Sequence, residues 1–209
     1  MYSQADQTQY LVNRIRLKNG NWEPEPALAE VEKHYSEYFL VKMAETIGHF
    51  GCELESREEK LRREETNMGN FIADLMRTEY YCDFAFINAG CFRKNTVIPA
   101  GYVNTMALYE CFPFNDPVVV LRMKGSVLKE ALEWSVGAYP AEEGKFPQIS
   151  NLNFLFDPSK PSGSRIDPYD IGSESNGLLS MDDEYTVAMT LYTANGGDGF
   201  TMFKEKGVE

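Results

Sequence analysis

Near the end of the chain, Thr193-Ala194-Asn195-Gly196-Gly197-Asp198-Gly199-Phe200 sets one carboxylate among three glycines. Glycine opens backbone conformations closed to other residues and lets a ligand come close. The backbone aims the Asp198 carboxylate, and a carboxylate so held is suited to accept hydrogen bonds from sugar hydroxyls. The same run is a good string of turn residues, so by itself it leaves a plain turn open. Three further segments put polar or aromatic residues at a strand end or helix start. They are Arg62 ahead of Glu65-Thr66-Asn67-Met68-Gly69-Asn70, the run Asn88-Ala89-Gly90-Cys91-Phe92-Arg93, and Phe112-Pro113-Phe114-Asn115; Tyr192 stands just before the glycine run. Strand ends and helix starts are where ligands bind in open sheets. Each residue has a plainer alternative. Phe114 and Tyr192 read equally as core aromatics, Arg62 as a solvated member of a charged run, Arg93 as an anchor of its own loop, and Asn88 as a strand-end cap. Asn67 and Asn70 read as ordering the backbone around a helix start.

The elements that must position these groups follow from periodicity. Tyr10 to Leu17 alternates apolar and polar residues as a short strand does. Ala27 to about Ile47 carries Leu28, Val31, Tyr35, Tyr38 and Met43 at helical spacing, ended by Gly48 and Gly51. Thr66 is an N-cap for a helix from Asn67 to about Tyr80. Asp83–Asn88, Val118–Met123, Asn151–Phe156 and Glu184–Leu191 read as strands. Thr105 is expected to cap a short helix to Cys111, and Ser126 starts another that runs to about Val136. Residues 157–176 are rich in Ser, Gly, Pro and Asp and read as a loop or hairpin excursion. Irregular alternation of strands and helices predicts an α/β (α+β) fold with a mixed sheet and flanking helices.

Composition narrows the partners. The 209 residues carry 20 Lys+Arg against 32 Asp+Glu, a net charge of −12, which opposes non-specific nucleic-acid binding. No apolar run reaches the ~18 residues of a membrane span. Cys52, Cys82, Cys91 and Cys111 form no CxxC pair, and His34 and His49 are the only two histidines. A hydrolytic two-metal site usually draws on several His and Asp ligands, so no metal is expected in this chain.

The ordered set ETNMGNFIADLM, FINAGCFR, a Pro-Phe pair before a strand, LRMKGSVLKEALEWSV, FPQISNLNFLFD and TANGGDGF resembles the C-terminal domain of the 5′-nucleotidase family, from roughly Pro24 to Lys204. The resemblance implies a nucleotide- or nucleoside-binding domain, with purine as the expected base. It also implies a separate N-terminal metallophosphatase domain, not contained in this sequence, holding two divalent metal ions. Phe114 and Tyr192 resemble the aromatics that sandwich the base, Asp198 the aspartate that holds the ribose hydroxyls, and Asn88 the asparagine near the base. Arg62 and Arg93 resemble arginines that face phosphate or other charged parts of the ligand. Ala89, Cys91 and Asn151 stand where relatives commonly have glycine, and Tyr192 where many have phenylalanine. Residues 1–26 then form an N-terminal extension at the boundary with the missing domain. Residues 27–51 form an interdomain connector helix and residues 52–209 the binding domain, whose C-terminus is shorter than is usual in the family. An extracellular, cell-surface or periplasmic setting is implied, with any signal outside this sequence.

The expected function is therefore substrate binding for a metal-dependent phosphohydrolase, with no hydrolysis by this chain alone. One alternative is a non-catalytic nucleotide-binding or interaction module. The other is a family enzyme acting on nucleotide sugars or cyclic nucleotides.

Overall fold

The computed structural model describes Glu23, residues 25–173, residue 175 and residues 177–208; the strand read over Tyr10–Leu17 lies outside them. The chain divides into two units, the first ending at Met43 and the second starting at Ala44. In the first, helix α1 spans Pro26–Met43. Proline at the first turn lacks only an N–H that would be unpaired anyway. The Glu25 carboxylate caps the helix by accepting from Leu28 N at 2.8 Å.

The second unit begins with β1 (Thr46–Phe50), β2 (Leu54–Glu55), α2 (Glu58–Leu61), α3 (Asn67–Glu79), β3 (Phe84–Asn88), β4 (Val97–Ile98), β5 (Gly101–Asn104) and α4 (Thr105–Cys111). It continues with β6 (Val118–Lys124), α5 (Gly125–Val136), β7 (Pro147–Ser150), β8 (Asn153–Phe154), β9 (Ile171–Ser173), β10 (Gly177–Leu178), β11 (Glu184–Thr190), α6 (Leu191–Ala194) and α7 (Thr201–Lys206). The main sheet has the order β6-β11-β3-β7, with β11 parallel to β3 and the other pairs antiparallel. It is the mixed sheet that the alternation predicts. All five residues of β3, Phe84–Asn88, are buried, as a central strand covered on both faces requires. Helix α3 packs against β3 and β7, α5 against β6 and β7, and α7 against α5 and β6. Phe86, Phe200 and Phe203 form one ring cluster, with centroids 5.1–5.5 Å apart. The glycine run is thereby anchored at its far end in the core through Phe200.

Three local readings are corrected, while the excursion over residues 157–176 does return as a hairpin. The first helix stops at Met43, short of Ile47, and Thr46–Phe50 is strand β1 paired antiparallel with β5. Thr46 and Ile47 are β-branched and Gly48 is a poor helix former, so an available partner strand wins. The cap of α4 is Asn104, whose Oδ1 accepts from Ala107 N at 3.0 Å, and Thr105 is the first helical residue. Of the strand read over Asn151–Phe156 only Asn153–Phe154 (β8) is extended and paired, and it lies outside the main sheet, whose edge strand is Pro147–Ser150. Asn151, at φ 57°, breaks the extended chain, and its Nδ2 donates to Asp83 O at 2.9 Å. The excursion after it returns as β9 and β10, which form a small separate sheet with β8. The N-cap on α3 is as expected, with Thr66 Oγ1 accepting from Gly69 N at 3.0 Å.

Candidate functional site

The ends of β3 and β11 and the loops after α2 and α4 enclose a cavity of about 950 Å³ with a mainly apolar wall. Arg62, Asn88, Arg93, Phe114, Tyr192 and Asp198 all line it. They arrive from distant stretches of the chain. Arg62 follows α2, Asn88 ends β3, Arg93 follows the 3₁₀ turn Ala89–Cys91, Phe114 follows α4, Tyr192 lies in α6, and Asp198 sits in the 3₁₀ turn Gly197–Gly199.

Asp198 is held by every polar group it has. Its Oδ2 accepts from Asn88 Nδ2 at 2.6 Å, and its Oδ1 accepts from the Tyr192 hydroxyl at 2.8 Å. Its own N–H donates back to that hydroxyl oxygen at 3.1 Å. Its carbonyl accepts from Trp134 Nε1 at 2.9 Å. The backbone is left-handed there (φ 51°, ψ 19°), a conformation that aspartate tolerates better than most residues. At Gly199 (φ 84°) an added Cβ would lie 2.5 Å from the Trp134 ring, so glycine lets the indole close over the loop. Gly90 and Gly144 touch backbone to backbone beside Asp198: Gly90 N donates to Gly144 O at 2.8 Å. A Cβ on either would stand 3.5 Å from Asp198 Oδ2, crowding the approach to that oxygen.

Asn88 is 2% exposed. Its Oδ1 accepts from Thr193 Oγ1 at 3.2 Å and from the Cys91 thiol at 2.9 Å. Its side chain is thus engaged in orienting Asp198, whereas the resemblance puts it near the base. Burial, and then the charges of Asp116 and Asp198, push the Cys91 thiol up to about 12. It stays a neutral donor at physiological pH.

Tyr192 and Phe114 are both about half exposed, with ring surface free on the cavity wall. The hydrogen bond to Asp198 raises the phenol of Tyr192 above its ordinary value. The Arg93 guanidinium lies 5.8 Å from the Phe114 ring centroid, within cation–π range. Arg62 reaches back to Glu142 O at 3.1 Å and to the Glu58 carboxylate at 3.1 Å. Its Nε is buried with no hydrogen-bond partner.

Sequence reasoning missed Asp116, Trp134 and Gly144. Asp116 takes the Tyr192 N–H on both carboxylate oxygens, at 3.2 and 3.0 Å, and so sets the start of α6. In the sequence it reads as a turn residue before β6, Trp134 as part of an amphipathic helix, and Gly144 as a loop glycine. Only three-dimensional proximity distinguishes them.

Among the described residues no group of three or more His, Cys, Asp or Glu side chains is placed to hold a metal ion. The cavity carboxylates Asp116 and Asp198 are already engaged by N–H and O–H donors. The described residues therefore do not fit a two-metal centre. Among them, too, no helix is long and apolar enough to cross a membrane.

A family model for the C-terminal domain of 5′-nucleotidase matches residues 44–205. The trifunctional nucleotide phosphoesterase protein of Bacillus subtilis is 30% identical over 167 residues, covering 77% of this chain and 11% of that protein. The 5′-nucleotidase of Homo sapiens is 30% identical over 173 residues, covering 73% of this chain and 29% of that protein. The crystal structure of a 5′-nucleotidase precursor from Thermus thermophilus superposes with a TM-score of 0.78 at 33% identity, over 88% of this chain and 37% of that one. This chain thus spans between 11% and 37% of the relatives' lengths. From the family match, the identities and the shared fold together, the chain belongs to the 5′-nucleotidase family and carries its C-terminal domain.

Proposed function

We propose that this domain binds the nucleoside part of a nucleotide, a purine nucleotide in particular, as the substrate-binding domain of a metal-dependent 5′-nucleotidase-type phosphohydrolase. The observation that carries the reading is the convergence of the Phe114 and Tyr192 rings, the Asp198 carboxylate and two arginines on one cavity of about 950 Å³. Aromatic faces stack on any base, at about 1–3 kcal/mol per base. A carboxylate pinned in place accepts from a pair of sugar hydroxyls without reorganising. Arg93 and Arg62 supply positive charge for the anionic end of the ligand, in a chain whose net charge is −12. The family's two divalent ions would activate water for hydrolysis, and their ligands would come from a domain other than this one. This domain's own part is to bind and position. An extracellular, cell-surface or periplasmic setting goes with this reading, as the family resemblance implies.

The test is a calorimetric or NMR titration of the full 209-residue chain with adenosine and with AMP. Phe114→Ala should weaken adenosine binding by about 5- to 150-fold, the loss of one stacking face. No binding by the wild type, or equal binding by wild type and variant, would overturn the assignment.

A further inference from the structure

We infer that Tyr192 links base recognition to sugar recognition: its ring is a wall of the cavity, and its hydroxyl fixes the Asp198 carboxylate in the pose that accepts a vicinal diol. The inference rests on the nucleoside-binding reading and adds to it a positioning residue that selects for ribose over deoxygenated sugars. Three observations support it. First, the hydroxyl makes a two-way contact with a single residue. It donates to Asp198 Oδ1 at 2.8 Å and accepts from Asp198 N at 3.1 Å. Such a closed pair resists rotation of the carboxylate about its own side-chain bonds more than a single bond does. Second, the ring that carries the hydroxyl is itself immobilised. Asp116 binds its backbone N–H through both carboxylate oxygens, and the ring lies so close over Gly197 that a Cβ there would meet it at 2.4 Å. Third, the opposite carboxylate oxygen is fixed independently by Asn88 at 2.6 Å. Each oxygen thus carries one protein donor and keeps acceptor capacity for one more.

Two neighbouring hydroxyls of a sugar satisfy that remaining capacity, one on each oxygen. A sugar lacking them leaves the carboxylate with nothing in place of water. Because Asp198 is held before the ligand arrives, the cost of ordering it is not charged to binding. The phenol, raised above its ordinary value by the carboxylate, remains a donor across the physiological range. Half of its surface remains exposed, so the hydroxyl is tied to Asp198 while ring surface stays open to a ligand.

The experiment compares adenosine with 2′,3′-dideoxyadenosine on wild type, Tyr192→Phe and Tyr192→Ala, all as the full chain, with melting temperatures recorded alongside. In Tyr192→Phe the ring remains and only the link is lost. Adenosine affinity should fall about two- to tenfold, the range of one hydrogen bond, and the ribose-to-dideoxy ratio should shrink by the same factor. Tyr192→Ala removes ring and link together and should weaken both ligands. If Tyr192→Phe changes both ligands equally, the hydroxyl does not act through Asp198. If it tightens adenosine, the hydroxyl is a competitor that the sugar must displace. Either result overturns the coupling and leaves the nucleoside site standing. A wild type that binds neither ligand overturns the nucleoside reading and the coupling with it.

Discussion

Asn88 and Asp198 meet at 2.6 Å although they lie 110 residues apart in the chain. The contact ties the end of the central strand β3 to the glycine run that follows β11. Its geometry is an outcome of the parallel pairing of those two strands, which aligns Val187 with Phe84 and Ala188 with Ala85. A loop of turn residues thereby becomes an oriented acceptor.

Asn88→Ala should cost about 1–3 kcal/mol of stability. The substitution removes the donor to Asp198 and leaves the Thr193 hydroxyl and the Cys91 thiol without their shared acceptor. Urea denaturation reads the loss directly. Asn88→Asp should be worse near neutral pH, where two carboxylates would face each other, and should recover part of the deficit as acid protonates one of them. If both variants match the wild type in midpoint, the contact is not an anchor of the loop.

Asp198→Asn keeps the shape and removes the charge. Charge-assisted bonds to sugar hydroxyls contribute roughly 1.5–3 kcal/mol, so adenosine affinity should drop about tenfold or more. Discrimination against 2′,3′-dideoxyadenosine should largely vanish, with a modest drop in melting temperature because the amide offers one acceptor where the carboxylate gives two to Asn88 and Tyr192. A variant that melts early yet keeps the full ribose-to-dideoxy ratio would show that Asp198 serves the turn and not the ligand.

Cys91 should give the domain a steep alkaline limb. Its thiol is raised from the ordinary 9.0 to about 12 in the folded protein, by burial first and then by the charges of Asp116 and Asp198. Between those values the unfolded chain has lost the thiol proton and the folded chain has kept it. The thiol's contribution to stability is therefore level below about pH 9 and falls as pH rises towards 12, by up to about 1.4 kcal/mol per pH unit. Cys82, Cys111 and Tyr192 are raised as well and act in the same direction. The comparison that isolates Cys91 is thus wild type against Cys91→Ala, melted at intervals from pH 8 to pH 11. Parallel curves would show that the thiol is not protected. Alkylation at pH 8 should modify exposed Cys52 well before Cys91.

The sequence by itself determined the elements whose signals are local. Thr66 caps α3 because a hydroxyl three residues ahead of Gly69 needs no distant partner, and the apolar runs of β3, β6 and β11 are strands in any packing that buries them. It also marked Arg62, Asn88, Arg93, Phe114, Tyr192 and Asp198, because polar and aromatic residues in short runs between elements, and the family motifs those runs resemble, can be read before the elements are assembled. Tertiary structure decided what depends on partners far along the chain. Thr46–Phe50 became a strand only because β5 offers backbone hydrogen bonds from more than 50 residues away. Pro147–Ser150 displaced the more strand-like stretch after it because it borders β3. Asp116, Trp134 and Gly144 carry no local mark of their roles. They matter because hydrogen bonds and close backbone contacts act over about 3 Å in space, a distance on which sequence separation has no bearing.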